Sequence, residues 1–109
     1  IRQEKINSLL KKELAIIFQR ESRNLFEGKF ITVTHVRISS DLGVAKAYLS
    51  FMASKDKDAD LKMVEVQNWK VRKKLGEKVG KQLRRVPELQ FFVDDTLDYL
   101  DKIDEALKK

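Results

Sequence analysis

Cysteine is absent from this chain, so disulfides and thiolate metal sites play no part in its stability or chemistry. That absence fits a reducing compartment, and a cytoplasmic location is the expectation. Histidine occurs once, as His35, among β-branched residues and without a sequence neighbour suited to acid–base work. It reads as a structural or surface residue, because proton transfer needs a partner and a pocket. Proline also occurs once, at Pro87, which argues against a flexible interdomain linker. No apolar run approaches the roughly 20 residues of a membrane span, and the first residues carry no signal-peptide pattern. The 109 residues, 42% of them apolar, suit one domain around one hydrophobic core, spanning 1–109.

Positive charge is what the chain has in excess. Between Lys70 and Arg85, Lys70, Arg72, Lys73, Lys74, Lys78, Lys81, Arg84 and Arg85 stand against a single acid, Glu77. The stretch after Pro87 reverses the balance, with seven acids against three lysines. A basic block followed by an acidic tail gives the molecule a charged polarity, so one side faces a polyanion. Such a block suits RNA or DNA, because neutralising phosphates releases their condensed counterions. The competing reading is a solvated helix face that aids solubility.

Hydrophobic spacing supplies the elements. Ile6, Leu9, Leu10, Leu14, Ile17 and Phe18 recur every three or four residues and predict an amphipathic helix over 3–22. Phe30 to Ser39 is rich in β-branched residues and reads as a strand whose alternation slips between His35 and Val36, the mark of a bulge or of burial on both faces. Ser40-Asp41-Leu42-Gly43 supplies a turn, with Gly43 free to take positive φ. Val44 to Met52 then alternates cleanly, with Ala45, Ala47, Leu49 and Phe51 on one face. The two strands form an antiparallel hairpin.

Asp58 and Asp60 are candidate helix N-caps, and Leu61, Val64, Val71, Leu75, Val79 and Leu83 mark one stripe. As a single rod, Asp60 to Leu83 would reach about 36 Å. Gly76 and Gly80 each cost a helix about 1 kcal/mol relative to Ala, so a kink or break is expected. Leu89, Phe91 and Val93 alternate as a third strand, and Asp95 or Thr96 starts a final helix with Leu97, Leu100, Ile103 and Leu107. The order predicts an α+β sandwich, three strands with helices on one face.

Four blocks, in this order, resemble the ribosome-binding factor A family. They are Ile6 with Glu13-Leu14-Ala15-Ile16-Ile17; Thr32 to Leu42 continuing as Ala45 to Ser50; Val71-Arg72-Lys73-Lys74-Leu75-Gly76; and Arg84-Arg85-Val86-Pro87-Glu88-Leu89-Gln90-Phe91-Phe92-Val93-Asp94-Asp95-Thr96. The resemblance implies a type II KH-like domain with the order α-β-β-α(kinked)-β-α. It implies a non-enzymatic factor that binds immature 30S particles and assists 16S ribosomal RNA processing in the cytoplasm, typically in cold-adapted growth. Two features depart from the family pattern. Gln67-Asn68-Trp69 stands where members place Ala-x-Gly at the helix kink, and about two extra residues lie between Gly76 and Pro87. The Gly-x-x-Gly clamp of ordinary KH domains is absent, as it is from the family.

For RNA binding, Arg72, Lys73, Lys78, Lys81, Arg84 and Arg85 are the expected phosphate contacts within the block that also holds Lys70 and Lys74. Arg37 and Lys46 extend the cationic surface from the hairpin or, equally, guard a sheet edge. Trp69 and Tyr48 are candidates for base stacking, and Trp69, off the main apolar stripe, reads equally as core. Phe91, Phe26 and Phe30 read as core. Asp94, Asp95 and Asp98 invite a metal reading, but no other His or carboxylate clusters with them, and Asp95 reads as a cap. No cofactor, metal, membrane or small-molecule substrate is expected, and a monomer is. A generic KH-like nucleic-acid module and a protein–protein adaptor are the alternatives.

Overall fold

The computed structural model describes residues 2–52, 54–83 and 85–94. Helix α1 (Arg2–Arg20) is followed by a short turn of helix, α2 (Ser22–Leu25), then strands β1 (Ile31–Ile38) and β2 (Val44–Phe51). Helices α3 (Lys57–Val66) and α4 (Asn68–Val79) lead to β3 (Glu88–Val93). The final helix expected from Asp95 or Thr96 onward lies outside the described residues.

The sheet runs β1-β2-β3, with β1 and β2 antiparallel and β3 parallel to β2. That parallel return requires a long crossover, which α3 and α4 provide. The face bearing Ala45, Ala47, Leu49 and Phe51 is buried, as alternation predicts. Against it lie Ile6, Leu10, Leu14, Ile17 and Phe18 of α1, Val64 of α3, and Val71, Leu75 and Val79 of α4. Each such side chain contributes about 1.5–3 kcal/mol on burial, so this layer is the main source of stability. Phe18 ties the elements together, 5.0 Å from the ring of Phe26 and edge-on to Phe91 at 5.8 Å. The arrangement is an α+β, type II KH-like fold with its helices on one face of the sheet.

Local chemistry departs from the sequence reading at four places. The ladder shifts register between Val33 and His35, so the bulge falls at Thr34, just ahead of the expected slip. In the hairpin turn Leu42, not Gly43, takes the left-handed conformation, with φ 62. Gly43 serves close approach instead: Asp41 Oδ1 accepts from its N–H at 3.0 Å, and a Cβ there would sit 3.3 Å from that oxygen. The cap of α3 is Asp56, whose carboxylate accepts from the Ala59 N–H at 3.1 Å, rather than Asp58 or Asp60. Phe30, read as core, is 66% exposed, because the neighbouring Ile31 takes the buried face and alternation along the extended chain turns Phe30 the other way.

The long helix is interrupted at Gln67, and a glycine ends it, since α4 stops at Val79 with Gly80 as its C-cap, short of Leu83. Asn68 falls on the apolar stripe between Val64 and Val71, where its amide needs a partner. It donates to the Leu89 carbonyl at 2.8 Å, which pins the start of α4 to β3. Gly76 is used for packing: a Cβ there would lie 3.1 Å from Val86 Cγ2.

Candidate nucleic-acid interface

The cations of α4 divide into three groups by what they touch. Arg72, half-buried, donates from Nη2 to the Val86 carbonyl at 2.8 Å and from Nε to the Pro87 carbonyl at 3.2 Å. With Asn68 one turn earlier, it forms an i, i+4 clamp on the segment that leads into β3. Lys74 pairs with Glu21 at 3.2 Å, and Lys70 places its Nζ 5.4 Å from the Trp69 ring centre. Lys73 and Lys78, with Lys81 just past the helix, are exposed, and none pairs with a carboxylate among the described residues.

Arg85 is exposed in the loop that follows and approaches the hairpin turn closely enough to act on Asp41. The hydrogen bonds from Ser39 and from the Gly43 N–H hold the Asp41 carboxyl below its ordinary range, and the Arg85 charge adds to them. Asp41 is thus a turn former. Arg84 lies outside the described residues.

Arg37 and Lys46 are cross-strand partners, both exposed, on the face of the sheet opposite the helices. The structure therefore separates this pair from the α4 cations by the thickness of the sheet. The same open face carries Tyr48 stacked on Phe92, with ring centres 5.4 Å apart, and the exposed His35. Phe91, one residue from Phe92, is buried as expected.

The acidic residues have structural partners. Asp94 accepts from the Thr34 hydroxyl, while Asp95 and Asp98 lie outside the described residues. Among the described residues, no group of three His, Asp or Glu side chains could hold a metal ion, and no helix is long and apolar enough to cross a membrane. A feature missed in sequence is the buried Asp60, which pairs with Lys29 at 2.8 Å and accepts from Ser54. Burial works against its charge, yet the bonds from Lys29 and Ser54 and the Lys29 charge outweigh that and hold its pKa below the ordinary value. The Asp60 hydrogen bond raises the Lys29 pKa in turn.

Lys73 and Lys78 on α4, with Lys81 and Arg85 after it, are thus the exposed cations of this region among the described residues, with the exposed Glu77 among them. Lys and Arg on a helix deliver charge to phosphates more readily than they read bases. Comparisons with known proteins bear on which polyanion. The family model described as ribosome-binding factor A matches residues 2–107. A ribosome-binding factor A of Cytophaga hutchinsonii is 49% identical over 109 residues, covering 100% of this chain and 82% of the relative. That of Chlorobaculum tepidum is 38% identical over 109 residues, covering 99% and 89%. The crystal structure of ribosome-binding factor A from Thermus thermophilus superimposes with a TM-score of 0.70 at 23% identity, over 84% of this chain and 94% of that one. A homology model of the Thermus thermophilus factor, fitted into a cryo-EM map of its complex with the 30S subunit, gives 0.64 at 27% identity, over 82% and 91%.

Proposed function

The chain belongs to the ribosome-binding factor A family, and from that premise we propose that it binds the small ribosomal subunit through 16S ribosomal RNA. The observation that carries this reading is the set of exposed cations Lys73, Lys78, Lys81 and Arg85, left without ion pairs to described carboxylates while neighbouring cations are engaged inside the molecule. These four, with Arg72 and Arg84, contact phosphates. Lys70 and Lys74 reinforce the local potential from α4, and Arg37 and Lys46 meet a second RNA segment from the open sheet face.

The protein acts without altering a covalent bond. It binds an immature conformation of the subunit's RNA more tightly than the finished one, and that difference shifts the population during maturation. Processing of 16S RNA is assisted in the cytoplasm because the bound conformation is the competent one, and the demand is greatest in cold-adapted growth, where misfolded RNA is slow to rearrange. The supporting physics is simple. A rigid sheet and an anchored helix fix the charges in space, so a folded RNA of matching shape is favoured over a flexible one.

Co-sedimentation with immature and mature small subunits tests this. Preferential recovery with immature particles is expected. Equal recovery with both, or displacement by bulk DNA as readily as by ribosomal RNA, would instead indicate a generic nucleic-acid module.

A further inference from the structure

Trp69 occupies the first turn of α4, immediately after the break at Gln67, and is 64% exposed. Leaving so large an apolar surface in water forgoes the burial that an indole ordinarily gains. Its surroundings are not those of a stray hydrophobe. The ring borders an open depression of about 600 Å³ that Arg72, Lys73, Gly76 and Val86 also line. That volume lies within the roughly 300–1,000 Å³ typical of ligand clefts. Glu65 is the one acid lining the depression among the described residues.

Two details make the site specific to a flat, negatively flanked ligand. Gly76 lines the same depression without a side chain of its own, close against Val86. Arg72 cannot swing away, because the Val86 and Pro87 carbonyls hold its guanidinium, so its charge is fixed beside the cleft. Lys73 is exposed and forms no ion pair among the described residues, so it can follow a phosphate.

We infer that Trp69 is a stacking platform for one unpaired nucleobase of single-stranded RNA, whose flanking phosphate meets Lys73 and Arg72. The assignment rests on the reading of this chain as an RNA-binding protein and adds a base contact to the phosphate contacts already proposed. Aromatic stacking tolerates any base, since every base has a π face, so the site selects unpaired over paired RNA rather than one sequence. Asn68 takes the inward stripe of α4, so the next residue, Trp69, falls outside it.

Trp69 is the only tryptophan in the chain, so its emission reports directly on the site. The full protein is titrated with single-stranded oligouridine and with an abasic oligomer of equal length and charge. Indole emission and the anisotropy of a label on the oligomer are read together. Saturable quenching by oligouridine but not by the abasic oligomer is expected, with affinity about tenfold weaker in Trp69→Ala and near wild type in Trp69→Phe. Circular dichroism confirms that both variants fold. Binding by anisotropy with unchanged emission, or equal affinity of Trp69→Ala, overturns the stacking assignment and leaves subunit binding standing. Failure to bind oligouridine while small subunits still bind has the same meaning, whereas failure to bind either overturns both readings.

Discussion

Arg72 and Val86, fourteen residues apart in sequence, are joined by a 2.8 Å hydrogen bond from guanidinium to carbonyl. A second bond to Pro87 makes the contact a fork, so this cation is a strut between α4 and β3 as well as a charge. Lysine retains the charge but lacks the fork. Arg72→Lys is therefore expected to lose about 1–2 kcal/mol, the cost of carbonyls left without a partner. Urea denaturation checks this. An unchanged midpoint would reduce Arg72 to a surface charge.

Asp60 supplies a pH-dependent contribution. Its folded pKa lies below the unfolded one, so the stabilisation is complete above about pH 4 and is lost as pH falls through the folded value. Asp60→Asn is expected to cost about 1–3 kcal/mol at neutral pH, toward the lower end because solvent screens the Lys29 side of the pair. The gap between variant and wild type should close in acid. Urea midpoints across an acid series measure it, and a gap that stays constant to about pH 2 would contradict the assignment.

The core makes a sharper contrast. Leu75 is fully buried on α4, whereas Val66 is 70% exposed at the end of α3. Leu75→Ala should cost about 2–5 kcal/mol through the cavity it leaves. Val66→Ala should stay within about 0.5 kcal/mol. Denaturant midpoints with an unchanged slope would confirm that both variants alter stability and not the folded state itself.

Much of the framework was legible because burial imposes a period. The alternation through Ala45, Ala47, Leu49 and Phe51, and the stripe of Val64, Val71, Leu75 and Val79, identified the core faces without any partner in view. Positions decided by long-range contacts were not legible. Nothing local says that Lys74 meets Glu21, or that Lys29 meets Asp60. Glycine propensity pointed to Gly76 and Gly80, and Gly80 does end α4, but the break at Gln67 falls beside the polar Asn68, which reaches a carbonyl on β3. The departure at Gln67-Asn68-Trp69 falls at that break. For the interface, charge density located the block, while the structure distinguished cations engaged inside the fold from those facing water.

Phosphate binding by the exposed cations of α4 and the loop after it is the central claim, and the salt dependence of binding to immature small subunits tests it most directly. Six phosphate contacts predict a slope of log affinity against log salt of about −4 to −5, and replacing Lys73, Lys78, Lys81 and Arg85 with Gln should reduce its magnitude by about 3. A slope near zero, or one that the four replacements leave unchanged, would contradict the account.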